Sequence, residues 1–164
     1  MDYFSAFPKI TYNGTTITDI TIRLDFIQRI KSNLALFEYV QLQDGQRPED
    51  IANIYYSDPS LYWIILYINS VIDPYYGWLL TDSQLFEYVK NKYGVDKVNS
   101  VNHYETTTQS DLGAGVWVNL GTPFCDPVTN MEYEQDLNEV KRKIKILKPS
   151  YISQVLSEYQ KELR

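Results

Sequence analysis

Hydrophobic and polar positions change period along the chain, and the changes mark its elements. Ile20, Ile22, Leu24 and Phe26 alternate with Thr21, Arg23 and Asp25, which predicts a strand. Ile27 and Ile30 blur that alternation, so a helix over 24–32 stays open. Residues 36–43 are again strand-like, and Asp44-Gly45 ends them. Pro48 then opens a helix with Glu49 and Asp50 in its first turn, where acids suit the helix dipole. Its apolar face is Ile51, Ile54 and Tyr55. Asp58 is a natural N-cap before Pro59, and Leu61, Ile64, Ile65 and Ile68 form the next helical stripe. A third helix spans 82–93 and stops at Gly94.

The remaining pattern predicts a strand over 98–105, a polar glycine-containing loop over 106–115 and a returning strand over 116–120. Residues 122–130 read as a turn-rich link with Pro123 and Pro127. The last 33 residues read as mainly helical: Leu137, Val140, Ile144 and Leu147 make one narrow stripe, and Ile152, Val155, Leu156, Tyr159 and Leu163 a second beyond Pro149. Residues 1–16 look like an arm carrying Phe4, Phe7 and a Tyr12-Asn13-Gly14-Thr15 turn signal. The fold class is therefore α+β.

Composition narrows the function. A length of 164 residues predicts one domain, or one domain with an appended arm, large enough for a real core. The longest apolar run, 61–68, is too short to span a membrane, and the first residues lack the basic start and apolar stretch of a signal peptide. A net charge of -6, with nine acids against four bases over 34–98, argues against nucleic-acid binding. The basic residues Lys141, Arg142, Lys143, Lys145 and Lys148 cluster, as a solvated helix face or a dock for an acidic protein. Fifteen tyrosines stand against six phenylalanines, and tyrosine is enriched at protein interfaces.

Candidate chemistry is sparse. One histidine, His103, and one cysteine, Cys125, exclude an internal disulfide and a multi-cysteine metal site. A His103–Cys125 nucleophile pair has no supporting motif. Glu49, Asp50, Glu87 and Glu105 are carboxylates without a glycosidase arrangement. Asp44-Gly45 lacks the alternating acids of a calcium loop, and Gly113-Ala114-Gly115 is no phosphate loop. Trp63 reads as core and Trp78 as interface rather than sugar platforms. No enzyme activity, metal or cofactor is expected.

Residues 38–80 carry the most specific motif. A strand ending at Asp44-Gly45 is followed by Ile51-Ala52 in a short helix, a Ser57-Asp58-Pro59 link, a second helix, and Asn69 before an Ile72-Asp73-Pro74 turn. This resembles the LysM domain, a βααβ unit. Gln46 and Ser57 depart from its usual residues, and 77–81 (Gly77-Trp78-Leu79-Leu80-Thr81) replace its closing strand, which puts glycan binding in doubt. Together with Asn102-His103-Tyr104-Glu105 and the run from Glu139 to Pro149, the chain resembles the LysM-containing baseplate wedge subunit of contractile-tailed, myovirus-type bacteriophages.

That resemblance implies a virion structural protein of the viral tail baseplate, made in the bacterial host cytoplasm. Such a subunit connects wedge proteins and helps neighbouring wedges assemble around the hub. It implies other wedge subunits and neighbouring wedges as partners, no nucleic acid or membrane, and no peptidoglycan. The alternative is a peptidoglycan-binding or cell-wall-degrading tail protein that uses the LysM-like core. The implied layout is an N-terminal arm and strand (1–33), a LysM-like core (34–81), a helix with a β-hairpin extension (82–131) and a C-terminal helical segment (132–164). Candidate contact residues are Tyr3, Phe4 and Phe7 in the arm, and Tyr75, Tyr76 and Trp78 in the aromatic loop. Lys141, Arg142 and Lys145 in the basic cluster join them, with Tyr151 and Tyr159 near the end. Both termini are expected to dock on other subunits while the core folds alone.

Overall fold

A computed structural model describes residues 3–22, 30, 33–73 and 75–163. The chain is mixed helix and sheet, and forms two compact units, one of residues 1–78 and 143–164, the other of residues 79–142.

The first unit opens with a 3₁₀ turn, Tyr3–Ala6, and a hairpin of β1 (Lys9–Tyr12) and β2 (Thr15–Thr18). Its main sheet pairs β3 (Phe37–Gln41) antiparallel with β7 (Lys143–Leu147), in the register Phe37↔Leu147, Tyr39↔Lys145 and Gln41↔Lys143. Between them in sequence stand α1 (Pro48–Tyr56) and α2 (Tyr62–Ile68). The Arg47 N–H donates to Asp50 Oδ2 at 2.9 Å at the start of α1, and Ser57 ends it in the left-handed region at φ 54°. Asp58 Oδ1 accepts from the Ser60 N–H at 2.9 Å and its hydroxyl at 2.6 Å, capping the turn Pro59–Leu61 that leads into α2. Ile51, Ala52, Leu61, Ile64 and Ile65 are all buried.

The C-terminal stripe is not one helix. Residues 143–147 alternate Lys-Ile-Lys-Ile and form β7, burying Ile144 and Ile146. Leu137 and Val140, the other half of the expected stripe, are exposed. Beyond Pro149, α5 (Ile152–Glu162) does bury Val155 and Tyr159. The closing partner of β3 is thus β7 and not residues 77–81. Ile20 and Ile22 are outside any strand; Leu24, Phe26 and most of the alternative helix over 24–32 lie outside the described residues.

The termini belong to this unit's core. Phe7, Leu147, Val155, Tyr159 and Leu163 are buried in one cluster with Trp63, Ile64 and Ile68. This corrects the expectation that residues 34–81 fold without the two ends. Removing residues 1–33 and 132–164 would take away six of the eleven buried side chains described in that cluster.

The second unit is one continuous stretch. α3 (Asp82–Tyr93) is capped reciprocally by Thr81 and Gln84, and α4 (Asn130–Val140) by Thr129 and Glu132. A three-stranded sheet has the order β5 (Trp117–Val118), β4 (Val101–Thr106), β6 (Cys125–Thr129). The expected link over 122–130 therefore contains a strand. Pro127 is tolerated because β6 is an edge. Leu80, Leu85, Val89 and Val98 form the core. The amide of Asn138 clasps the Leu80 backbone, accepting from its N–H at 3.0 Å and donating to its carbonyl at 2.9 Å.

Candidate protein-interaction surfaces

The aromatic residues of the arm meet the last helix. The Tyr3 ring lies 5.2 Å from Phe7, 5.2 Å from Trp63 and 5.9 Å from Tyr159. The Tyr159 hydroxyl donates to the Tyr3 carbonyl, and the Tyr3 and Tyr67 hydroxyls are 2.7 Å apart. Burial, then the Tyr67 hydroxyl, raises the Tyr3 pKa, and burial pushes Tyr159 up to about 12. Phe7 and Tyr159 are spent on the chain's own core and leave the set of contact candidates. Tyr3 and Tyr151 are half-buried against that core, and Phe4 is exposed.

The aromatic loop is held from beneath. Asp73 Oδ1 accepts from the N–H groups of Tyr75 at 2.8 Å and Tyr76 at 3.1 Å. The Gly77 N–H donates to the Asp73 carbonyl at 3.1 Å. A Cβ at Gly77 would meet that carbonyl oxygen at 2.5 Å, so the close approach, not a positive φ, requires glycine. Trp78 is half-buried, its Nε1–H donating to the Gln46 carbonyl at 2.8 Å. What remains outward is Tyr75, 77% exposed, Tyr76, and Ile72, 93% exposed. Ile72 is not among the expected contact residues, although its position before Asp73-Pro74 in an apolar-aromatic turn is a signal that marks it.

The basic cluster is split. Lys141 and Arg142 follow α4 in the second unit, where Arg142 holds Glu139 through Nε at 2.6 Å and Nη2 at 2.7 Å and lowers that carboxyl's pKa. Lys143 and Lys145 lie on β7 of the first unit, 4.9 and 6.0 Å from the exposed Tyr39 ring. Tyr39, outside the expected contact set, stands opposite Lys145 by cross-strand pairing. The Lys148 ammonium donates to the Ala35 carbonyl at 2.7 Å.

The second unit holds His103 and Cys125. His103 stacks on Trp117 at 3.9 Å, with Tyr133 edge-on at 5.5 Å. Its ring nitrogens contact Asn102 Oδ1 at 2.9 Å and Glu105 Oε1 at 2.7 Å. His103 pairs across the sheet with Val128, while Cys125 pairs with Thr106. Three strand positions, about 10 Å along the sheet, separate His103 from Cys125. The N–H groups of Gly113 and Gly115 serve their own turn, bonding Ser110 and Thr106 carbonyls. Buried Glu134 accepts from Lys92 Nζ and from the Tyr93 hydroxyl, each at 2.7 Å. The Glu134 bond raises the Lys92 pKa. Among the described residues no three His, Cys, Asp or Glu side chains gather as a metal site, and no helix is long and apolar enough to cross a membrane.

Comparison with known proteins gives these surfaces a setting. Baseplate wedge protein gp53 of Enterobacteria phage T4 is 32% identical over 100 residues, covering 55% of this chain and 50% of that protein. The chain thus spans about half the length of the curated relative it matches. The family described as Base plate wedge protein 53 matches residues 3–112, most of the chain, and to that family this chain belongs.

Proposed function

We propose that the chain is a non-enzymatic structural subunit of a bacteriophage tail baseplate wedge. It joins wedge subunits to one another and helps neighbouring wedges assemble around the hub. Family membership supports the wedge assignment, and the exposed Ile72–Tyr75–Tyr76 tip carries the connector reading. Large apolar side chains on an anchored loop are a protein-contact signature. Contact residues are the outward members of the expected set, Phe4, Tyr75 and Tyr76, with Lys145 (beside Tyr39), Lys141, Arg142, Trp78, Tyr3 and Tyr151 at partly buried margins.

The order β3, α1, α2, β7, with β3 and β7 antiparallel, supports a LysM-like βααβ reading. On that reading the core at 34–81 is completed by β7, residues 69–142 are inserted before that closing strand, and 1–33 and 148–164 are additions to it.

Reconstitution of wedges lacking this chain tests the function. Full-length protein should restore wedge joining, and Ile72→Asp/Tyr75→Asp should abolish it without lowering the melting temperature. Wild-type joining by the double variant would refute the loop's role. Retention on purified peptidoglycan, with no wedge joining, would favour the glycan-binding alternative.

A further inference from the structure

The N-terminal hairpin presents a face that its pattern would normally bury. β1 and β2 pair Lys9↔Thr18, Ile10↔Ile17, Thr11↔Thr16 and Tyr12↔Thr15. Opposed residues share a face, so Ile10, Tyr12, Thr15 and Ile17 form one side and Lys9, Thr11, Thr16 and Thr18 the other. The second side is polar and is tied by Lys9 Nζ donating to Thr18 Oγ1 at 2.6 Å. The first is apolar, yet Ile10 is 41%, Ile17 40% and Tyr12 65% exposed.

A lone two-stranded ribbon is marginal in water, but this one is preformed. Asn13 and Gly14 have φ of 47° and 76°, the positive values that a type I′ hairpin turn requires. At the other end the Asp19 N–H donates to the Pro8 carbonyl at 2.9 Å, next to buried Phe7. Among the described residues neither strand has a second partner. Within residues 9–18 Lys9 is the one charged side chain, and Pro8 and Asp19 stand only at the open end.

We propose that this hairpin is a docking element that lays its Ile10–Tyr12–Ile17 face into an apolar cleft on another protein of the baseplate. The inference rests on the wedge-connector reading. Area selects the partner. Two four-residue strands offer a footprint of roughly 13 by 10 Å, so the same face on a second copy would fall far below the roughly 800 Å² per partner of a stable interface. A concave cleft that wraps face and edges gathers more contact from the same ribbon.

The test uses the full chain and wedge complexes purified from cells infected with a phage lacking this subunit. Ile10→Thr/Tyr12→Thr/Ile17→Thr keeps strand-forming residues while removing the apolar face. The variant should melt with the unmodified chain yet bind the complexes at least tenfold more weakly. In the unmodified chain, the amides of residues 9–18 should gain hydrogen-exchange protection on binding. Equal binding by the variant would overturn the proposal, as would a lowered melting temperature with binding retained, which would assign the face to the chain's own core. A concentration-dependent dimer, or binding to anionic lipid vesicles, that the variant loses while wedge binding persists would transfer the face to a second copy or a membrane and overturn it too. If the unmodified chain fails to bind wedge complexes at all, the connector reading falls and this inference with it.

Discussion

Asn69 offers the sharpest test of how the first unit is held. Its side-chain amide sits where a third strand would lie against β7. Asn69 Nδ2 donates to the Lys145 carbonyl at 2.7 Å and to the Ile65 carbonyl at 2.8 Å, and Oδ1 accepts from the Lys145 N–H at 2.8 Å. Asn69→Ala deletes all three bonds. The Ile65 carbonyl keeps the Asn69 backbone N–H at 3.1 Å, so the cost falls on Lys145. Two net bonds at about 1 kcal/mol each, plus incomplete solvation of the freed groups, predict a loss of about 2–4 kcal/mol. For a unit of this size that lowers the melting temperature by roughly 10 °C or more. Asn69→Asp should do no better, because its carboxylate faces two carbonyl oxygens. The assay is urea unfolding followed by tryptophan fluorescence, with Trp63 as the first unit's buried reporter. Asn138→Ala, which removes the matching clasp on Leu80 in the second unit, is the comparison and should weaken that unit. An unfolding free energy for Asn69→Ala within about 0.5 kcal/mol of the unmodified chain's would refute the argument that a side chain supplies β7 with its outer partner.

Two further outcomes follow from burial. Ile51→Ala and Ile65→Ala, at positions 1% and 0% exposed, should each cost about 2–5 kcal/mol in equilibrium unfolding, and unchanged midpoints would remove both from the core. At alkaline pH the first unit should weaken. Burial pushes Tyr56 from the ordinary 10.0 up to about 12, against the Leu147 N–H that donates to its hydroxyl at 3.1 Å. The unfolded chain releases that proton first, so the stabilisation is complete below pH 10 and is lost as pH rises toward 12. Tyr3 and Tyr159 shift in the same direction. Stability measured from pH 8 to 12 should fall in that window, less steeply in Tyr56→Phe; a flat profile would contradict the burial.

Local signals were legible where capping chemistry and period agreed. Pro48 with Asp50, Asp58 with Pro59, and Gly94 marked helix ends that the structure places within a residue or two. The C-terminal strand was masked by coincidence. Leu137, Val140, Ile144 and Leu147 fit a helical stripe, while Lys143-Ile144-Lys145-Ile146 fit a strand equally well. Only β3, more than 100 residues away, decides between them. Local propensity cannot see such a partner. The same blindness hid the fate of the ends. Phe7 and Tyr159 looked like aromatics available to a neighbour because the sequence does not say that they meet Trp63. In the loop, Tyr75 and Tyr76 were visible by composition, but Ile72 and Tyr39 gain their significance from exposure and cross-strand position.

The pairing of β3 with β7 also sets an order of events during synthesis. Phe37 must wait for Leu147 before its sheet can close, whereas every strand and helix of the second unit is complete by residue 142. On the ribosome, the inserted unit can therefore fold while α1 and α2 still lack their strand. Non-local pairings close slowly because chain entropy is lost before contacts compensate, so closure of the first unit is the expected slow step. Until it occurs, Ile64, Ile68 and Trp63 are without the β7 and α5 side chains that cover them, and a nascent or truncated chain stopping short of residue 147 exposes apolar surface of the kind that chaperones bind and aggregates recruit.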